Sequence, residues 1–352
     1  MKKKIVLVLV MIALLVTLAA CDKKADPVET PPSNSAETST PTESAPETPE
    51  VSYDVNIGFI KGPSGVGAAY LLEQNELGES KNKYNVTIES DPSLITGAII
   101  SGDLDFAAVP TNVASVLYNK MNGEVRILAI STLDVLYILE KGDSVNSASD
   151  LAGKTIYATG QGANPEYVLN HMLIMNGLEP GKDVMIEFMD SAELATQMAA
   201  GELDICMLPV PNATSVLMKN SDVRKALSIG EEWNKVVTDG SVLTQGCVIA
   251  RADCENLDEK VEAFLADYEE SIRFMEDSAN IDKAAELCVK YEIIPNAEVA
   301  KAAIPDCNIT FVSGADTMKS YLSGYFTVLF EMDPTAIGGA IPDEAIYYKS
   351  GQ

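Results

Sequence analysis

Residues able to recognise or transform a small molecule fall in four short loops of this 352-residue chain. They are Lys61 to Val66, Pro110 to Asn112, Gly160 to Asn164 and Pro209 to Asn212. Lys61, Ser64, Thr111, Asn112, Gln161, Asn164 and Asn212 bring amine, hydroxyl and amide groups. Gly65 and Gly162 let backbone N–H groups approach a ligand, with Val66 beside them, and Pro110 and Pro209 end apolar runs. The chemistry on offer is hydrogen bonding and the partial positive charge of helix N-termini, which suits a polar or anionic group. Covalent or acid–base work is poorly served, because these loops hold no His, Cys or paired carboxylates. Glu166, after Asn164-Pro165, is the nearest candidate base, yet an acid in a first helical turn is ordinary helix chemistry. Neither glycine loop is a nucleotide fingerprint or a P-loop, and G-x-S-x-G and HExxH are absent.

Aromatic candidates lie apart from these loops. Trp233, the sole tryptophan, either stacks a planar ligand or anchors a short helix. Tyr137 and Tyr157 carry the same two readings. His171, the sole histidine, sits among Leu and Met at a helical position and reads as a structural side chain before a ligand-binding one.

The elements that position the loops repeat. Asp91 to Leu117 (DPSLITGAIISGDLDFAAVPTNVASVL) matches Asp190 to Leu217 (DSAELATQMAAGELDICMLPVPNATSVL) in plan. Each copy predicts a helix capped by Asp91 or Asp190 and closed by Gly102 or Gly201. A buried strand follows (104–109; 203–208), then proline and a new helix at Thr111-Asn112 or Asn212. Upstream, Val55 to Ile60 and Thr155 to Thr159 are strands that each feed a Gly-rich loop and a helix. The alternation implies βαβ units, and ligands of such sheets sit beyond the carboxyl ends of strands. The four loops therefore face one cleft.

The remaining segments are addressed by composition. Lys2 to Lys4 followed by an uncharged run from Ile5 to Ala20 reads as a signal peptide, and Leu18-Ala19-Ala20-Cys21 resembles the bacterial lipobox, which implies acylation of Cys21. Residues 21–51, rich in Pro, Ser, Thr and Glu, read as a disordered stalk. The other cysteines, Cys206, Cys247, Cys254, Cys288 and Cys307, are odd in number and without C-x-x-C spacing, so no metal site is predicted. They read as buried apolar residues, with at most one or two disulfides. The formal charge of −27 excludes nucleic acid as a partner. None of Arg126, Arg224, Arg251 and Arg273 lies in the four loops, where Lys61 is the sole cation. That tilts the expected ligand towards a neutral or weakly charged, heteroaromatic compound.

GDLDFAAVP, GELDICMLP and Asp150-Leu-Ala-Gly-Lys-Thr-Ile156 resemble the nitrate/sulfonate/taurine and thiamine-precursor (SsuA/THI5-like, NMT1-like) substrate-binding proteins of ABC importers. The resemblance spans about 52–350. It implies an α/β fold of the type II periplasmic-binding kind, two βαβ lobes joined by a hinge. Lobe I would be 52–135 with 250–352, lobe II 140–245, and the crossings Ser131 to Lys141 and Ser241 to Arg251. Beyond Asp253 the chain is expected to be helical, with Pro334 to Gln352 as a tail. The resemblance also implies a monomer tethered by Cys21 to the outer face of the membrane. It would pass a small molecule, a sulfonate or nitrate or a vitamin precursor, to permease and ATPase subunits, with no cofactor and no catalysis. The alternative is an enzyme on the same scaffold acting on a thiamine- or menaquinone-type precursor. A structural or adhesive lipoprotein would lack the cleft.

Overall fold

The computed structural model describes residues 51–351; the expected leader, the acylated Cys21 and the stalk lie outside them. The first part of this body runs β1 (Asp54–Ile60), α1 (Pro63–Leu77), β2 (Lys83–Glu89), α2 (Pro92–Ser101), β3 (Phe106–Pro110), α3 (Thr111–Lys120) and β4 (Val125–Thr132). A crossing then leads to β5 (Leu136–Lys141), β6 (Thr155–Ala158), α4 (Asn164–Met175), β7 (Met185–Phe188), α5 (Ser191–Ala200), β8 (Ile205–Pro209), α6 (Asn212–Lys219), β9 (Val223–Ser228) and α7 (Ile229–Val236). The chain returns through β10 (Gly246–Arg251) and ends with α8 (Leu257–Glu276), α9 (Ile281–Lys290), α10 (Ala297–Ala303), β11 (Ile309–Ser313) and α11 (Ala315–Met332).

Two sheets result. The first has the order β11-β4-β10-β3-β1-β2, the second β7-β6-β8-β5-β9. β1 pairs parallel with β2 and β3, and β6 parallel with β7 and β8, as the βαβ reading requires. The strands that follow each crossing run antiparallel: β5 against β8, and β10 against β3 and β4. The internal repeat is therefore a repeat of structure. Asp91 accepts the Ser93 N–H at 2.9 Å, and Asp190 accepts those of Ala192 and Glu193. Gly102 and Gly201 close the two helices in the left-handed region, at φ 86° and 75°. A Cβ is disfavoured there, which is why both copies carry glycine.

The C-terminal segment departs from expectation in two places. It is not wholly helical, because Ile309–Ser313 forms β11 at the sheet edge, antiparallel to β4. Five residues, four of them β-branched or aromatic and bounded by Asn308 and Gly314, are enough for an edge strand but too few to show periodicity. Nor do the described residues of the expected tail, from Pro334 to Gly351, stand apart from the body. Ala336, Ile337, Ile346 and Tyr347 are buried, and Tyr347 bridges to Ile127. The helix α11 packs on α4 as well as on β11, so it touches both lobes.

All five cysteines of the described residues are free, four of them buried and Cys254 half-buried. Burial pushes the thiols of Cys206, Cys247 and Cys288 up to about 12, in keeping with small apolar residues.

Candidate binding cleft

A cleft of about 390 Å³ lies between the two sheets, and three of the four predicted loops line it. The first lobe supplies Ile60, Lys61, Pro63 and Ser64 between β1 and α1, Pro92 at the start of α2, and Val109 to Val113 around the β3–α3 junction, Thr111 excepted. The second supplies Ala163, Asn164 and Pro165 at the start of α4. The crossings supply the floor: Thr132, Val135, Gln245 and Gly246. Most of this surface is aliphatic or proline. Polar groups are few and placed where the apolar wall breaks.

Several of those groups are without partners. Ser64 Oγ, Thr132 Oγ1 and Gln245 Nε2 are buried and make no hydrogen bond, although each residue lines the cleft. An unmade hydrogen bond of a buried donor costs about 1–3 kcal/mol, which makes these three the polar groups of the lining with bonds still to form. The neighbouring polar atoms are already engaged. Asn112 Nδ2 donates to Ala336 O at 3.1 Å, and Asn164 Nδ2 donates to Gln245 Oε1 at 2.8 Å. Helices α1, α3 and α4 all begin at the cleft, so their first-turn N–H groups, which have no intrahelical acceptors, add positive potential. Lys61 is the one cation of the lining, 3.8 Å from the exposed carboxylate of Glu292.

Lys61, Ser64, Pro110, Asn112 and Asn164 are brought together as the loop pattern predicts. Thr111, Gly65 and Val66 stand behind the wall, fully buried. Gly65 serves packing, since a Cβ there would lie 3.0 Å from both Ile293 and the Ile60 carbonyl. Gln161 and Gly162 are exposed on the rim, where the Gly162 N–H donates to Glu166 Oε2 at 2.6 Å. That bond occupies the candidate base as a turn-stabilising acceptor. Pro209 and Asn212 do not line the cleft; Asn212 Nδ2 donates to Ser191 Oγ at 2.6 Å instead.

The aromatic candidates are corrected. Trp233 is 1% exposed, its ring 5.0 Å from His171 and 6.1 Å from Tyr325, and its Nε1–H points at Ser241 O. The face of α7 that carries it turns into the core, so it anchors the helix and cannot stack a ligand. His171 is half-buried against the Trp233 ring, and burial lowers its pKa. Tyr137 lines a separate depression beside the hinge, with Lys225 Nζ 4.9 Å over its ring. The cleft thus has no aromatic wall. Thr132 and Gln245 were missed because they lie on the crossings, next to the loops only after β4 and β10 pair. The signal available was Thr244-Gln245, polar residues within an otherwise apolar extended run.

Two α/β lobes joined by two crossings, with a cleft at the strand ends, define the type II periplasmic-binding-protein-like fold. A family profile described as NMT1/THI5 like matches residues 84–278, and the chain belongs to that family. Solved structures agree on the fold. An ABC transporter protein from Parabacteroides distasonis superposes with a TM-score of 0.69 at 19% identity, covering 84% of this chain and 98% of its own. The periplasmic aliphatic sulphonate binding protein SsuA from Escherichia coli gives 0.64 at 16% identity, covering 87% and 94%. The alkanesulfonate-binding SsuA from Xanthomonas axonopodis pv. citri, bound to MOPS, gives 0.58 at 15%, covering 83% and 95%. No curated protein matches the chain. Among the described residues no group of three or more His, Cys, Asp or Glu could hold a metal ion.

Proposed function

We propose that this protein is an extracytoplasmic solute-binding lipoprotein, anchored through Cys21, which captures a small molecule between its lobes and delivers it to the permease and ATPase of an ABC importer. The observation that carries the reading is the trio of partnerless buried polar atoms, Ser64 Oγ, Thr132 Oγ1 and Gln245 Nε2, in a cleft between two lobes. Ligand contacting both lobes stabilises the closed form by its differential affinity, and the closed form docks on the permease.

The cleft chemistry refines the ligand. Donor groups and helix N-termini favour a head that carries acceptors, and an aliphatic wall without aromatic side chains favours a short alkyl body over a ring. A sulfonate of the alkane type satisfies both, and SsuA proteins of this fold are named for such ligands. This replaces the heteroaromatic leaning, which rested on the lack of arginine in the loops, with Lys61 their sole cation. The enzyme reading loses support, since the lining offers no carboxylate, His or Cys and Glu166 is engaged in its turn.

Calorimetric titration with 1-butanesulfonate, nitrate and an aminopyrimidine tests the proposal. Saturable binding of the sulfonate, with little response to the aminopyrimidine, is expected. Binding of the aminopyrimidine alone would restore the aromatic ligand, and turnover of any of the three would restore the enzyme.

A further inference from the structure

Three side chains from three parts of the chain form a line that ends in the cleft. The Tyr325 hydroxyl, on α11, donates to Asn164 Oδ1 at 2.8 Å. Asn164, the first residue of α4, donates from Nδ2 to Gln245 Oε1 at 2.8 Å. Gln245 Nε2 is then left buried and without a partner, on a residue that lines the cleft. We propose that Tyr325, acting through Asn164, fixes the direction of hydrogen bonding at Gln245 and thereby makes the cleft select ligands whose head accepts hydrogen bonds. The inference deepens the solute-binding reading above and rests on it for the ligand.

The physical reason lies in the asymmetry between a phenol and an amide. The two ends of a carboxamide have nearly the same shape, so turning both Asn164 and Gln245 over would keep their mutual bond. It would also place the Asn164 nitrogen against the Tyr325 oxygen. The hydroxyl proton would then lose its acceptor in a fully buried pocket walled by Trp233 and Phe326, at 6.1 and 5.7 Å between ring centroids. A buried donor without a partner is costly, so the phenol sets the polarity of the whole line. Each amide passes that choice on, and the last group of the line, on a residue of the cleft lining, is an NH2. Tyr325 touches no ligand; it is a positioning residue. Because α11, α4 and the β10 crossing each contribute one member, the line also ties the second lobe to the cleft floor.

Two substitutions separate the parts. Tyr325→Phe removes the phenolic proton and leaves the two amides free to turn. Asn164→Asp keeps an acceptor for Tyr325 but offers only acceptors to Gln245, so Gln245 must present its NH2 to residue 164 and its oxygen to the cleft. Side-chain amide NMR reads the line without any ligand, with the Asn164 and Gln245 signals assigned by their loss in Asn164→Asp and Gln245→Glu. In the unsubstituted protein the Asn164 amide protons should exchange with water about tenfold more slowly than those of Gln245, as one engaged hydrogen bond would make them. Tyr325→Phe should shrink that contrast to about threefold or less, and Asn164→Asp should slow the Gln245 protons about tenfold relative to the unsubstituted protein. A slow Gln245 amide in the unsubstituted protein, or an unchanged contrast in Tyr325→Phe, would overturn the proposal. Titration then reads specificity: Asn164→Asp should weaken 1-butanesulfonate by about tenfold or more and shift preference towards n-butylammonium. Equal sulfonate affinity in that variant, with the Gln245 amide slowed, would also overturn it. If the unsubstituted protein binds neither probe while the amide pattern holds, the line stands and the sulfonate reading fails.

Discussion

Gly230→Ala sets local helix preference against a tertiary contact, and the structure says which prevails. Gly230 lies in the first turn of α7, and a Cβ there would stand 2.4 Å from Asp134 Cβ and 2.9 Å from its Cγ. Carbon atoms rest at about 3.5–4.0 Å, so the helix or the crossing must move by about 1 Å. Asp134 has no room to turn away. It is 6% exposed and accepts the Leu136 N–H at 3.0 Å, the Ser228 hydroxyl at 2.9 Å and the Gly230 N–H. Weakening bonds to a buried carboxylate costs about 2–4 kcal/mol in all, against at most about 1 kcal/mol gained from replacing glycine in a helix. The net loss is about 1–3 kcal/mol, a fall in Tm of about 2–10 °C for a body of this size. Gly97→Ala is the internal comparison: exposed in mid α2, with nothing within 4 Å of its added Cβ, it should raise Tm by about 1–3 °C. Differential scanning calorimetry of both variants decides the matter. A Tm for Gly230→Ala that equals or exceeds that of the parent would refute the argument that the hinge contact dominates.

The sole histidine gives a pH prediction. Burial lowers the His171 pKa, so the fold resists a proton that the unfolded chain accepts near its ordinary value of about 6.5. Stability should therefore be full above that value and fall as pH drops from 7.5 to 5.5, and His171→Gln should flatten this part of the Tm–pH curve. Val113→Trp, which puts a large ring into the cleft, should abolish detectable titration of 1-butanesulfonate while changing Tm little. Cys21→Ala should end incorporation of labelled palmitate and release the protein from the membrane fraction; retention with the label would contradict acylation at that residue.

Much of the architecture was legible because its signals are local. Asp91 with Gly102 and Asp190 with Gly201 mark both helices of the repeat by capping and left-handed closure, which depend on neighbouring residues only. The loops after β1, β3 and β6 could be assigned to one cleft for the same reason, since a strand followed by a polar turn and a helix fixes which end faces out. What stayed hidden depends on pairing between distant segments. Gln245 becomes a site residue only when β10 enters the sheet between β3 and β4, and Asn164 meets Tyr325 only when α11 packs on α4. Trp233 shows the converse error. Its chemistry suits a binding pocket, but the face of α7 it occupies is set by packing against His171 and Tyr325. The fourth loop, at Pro209 to Asn212, repeats the plan of the second and yet turns its asparagine to Ser191. Repeated sequence carried repeated backbone without repeating the contact.

The central claim is that the cleft between the lobes holds a small solute through Ser64, Thr132 and Gln245. Native mass spectrometry of the protein purified without denaturation, alongside Val113→Trp, tests it most directly. The account predicts a bound species of small mass, or one acquired on adding 1-butanesulfonate, that is absent from Val113→Trp. A bound species retained in equal amount by Val113→Trp would place the ligand elsewhere and contradict the account.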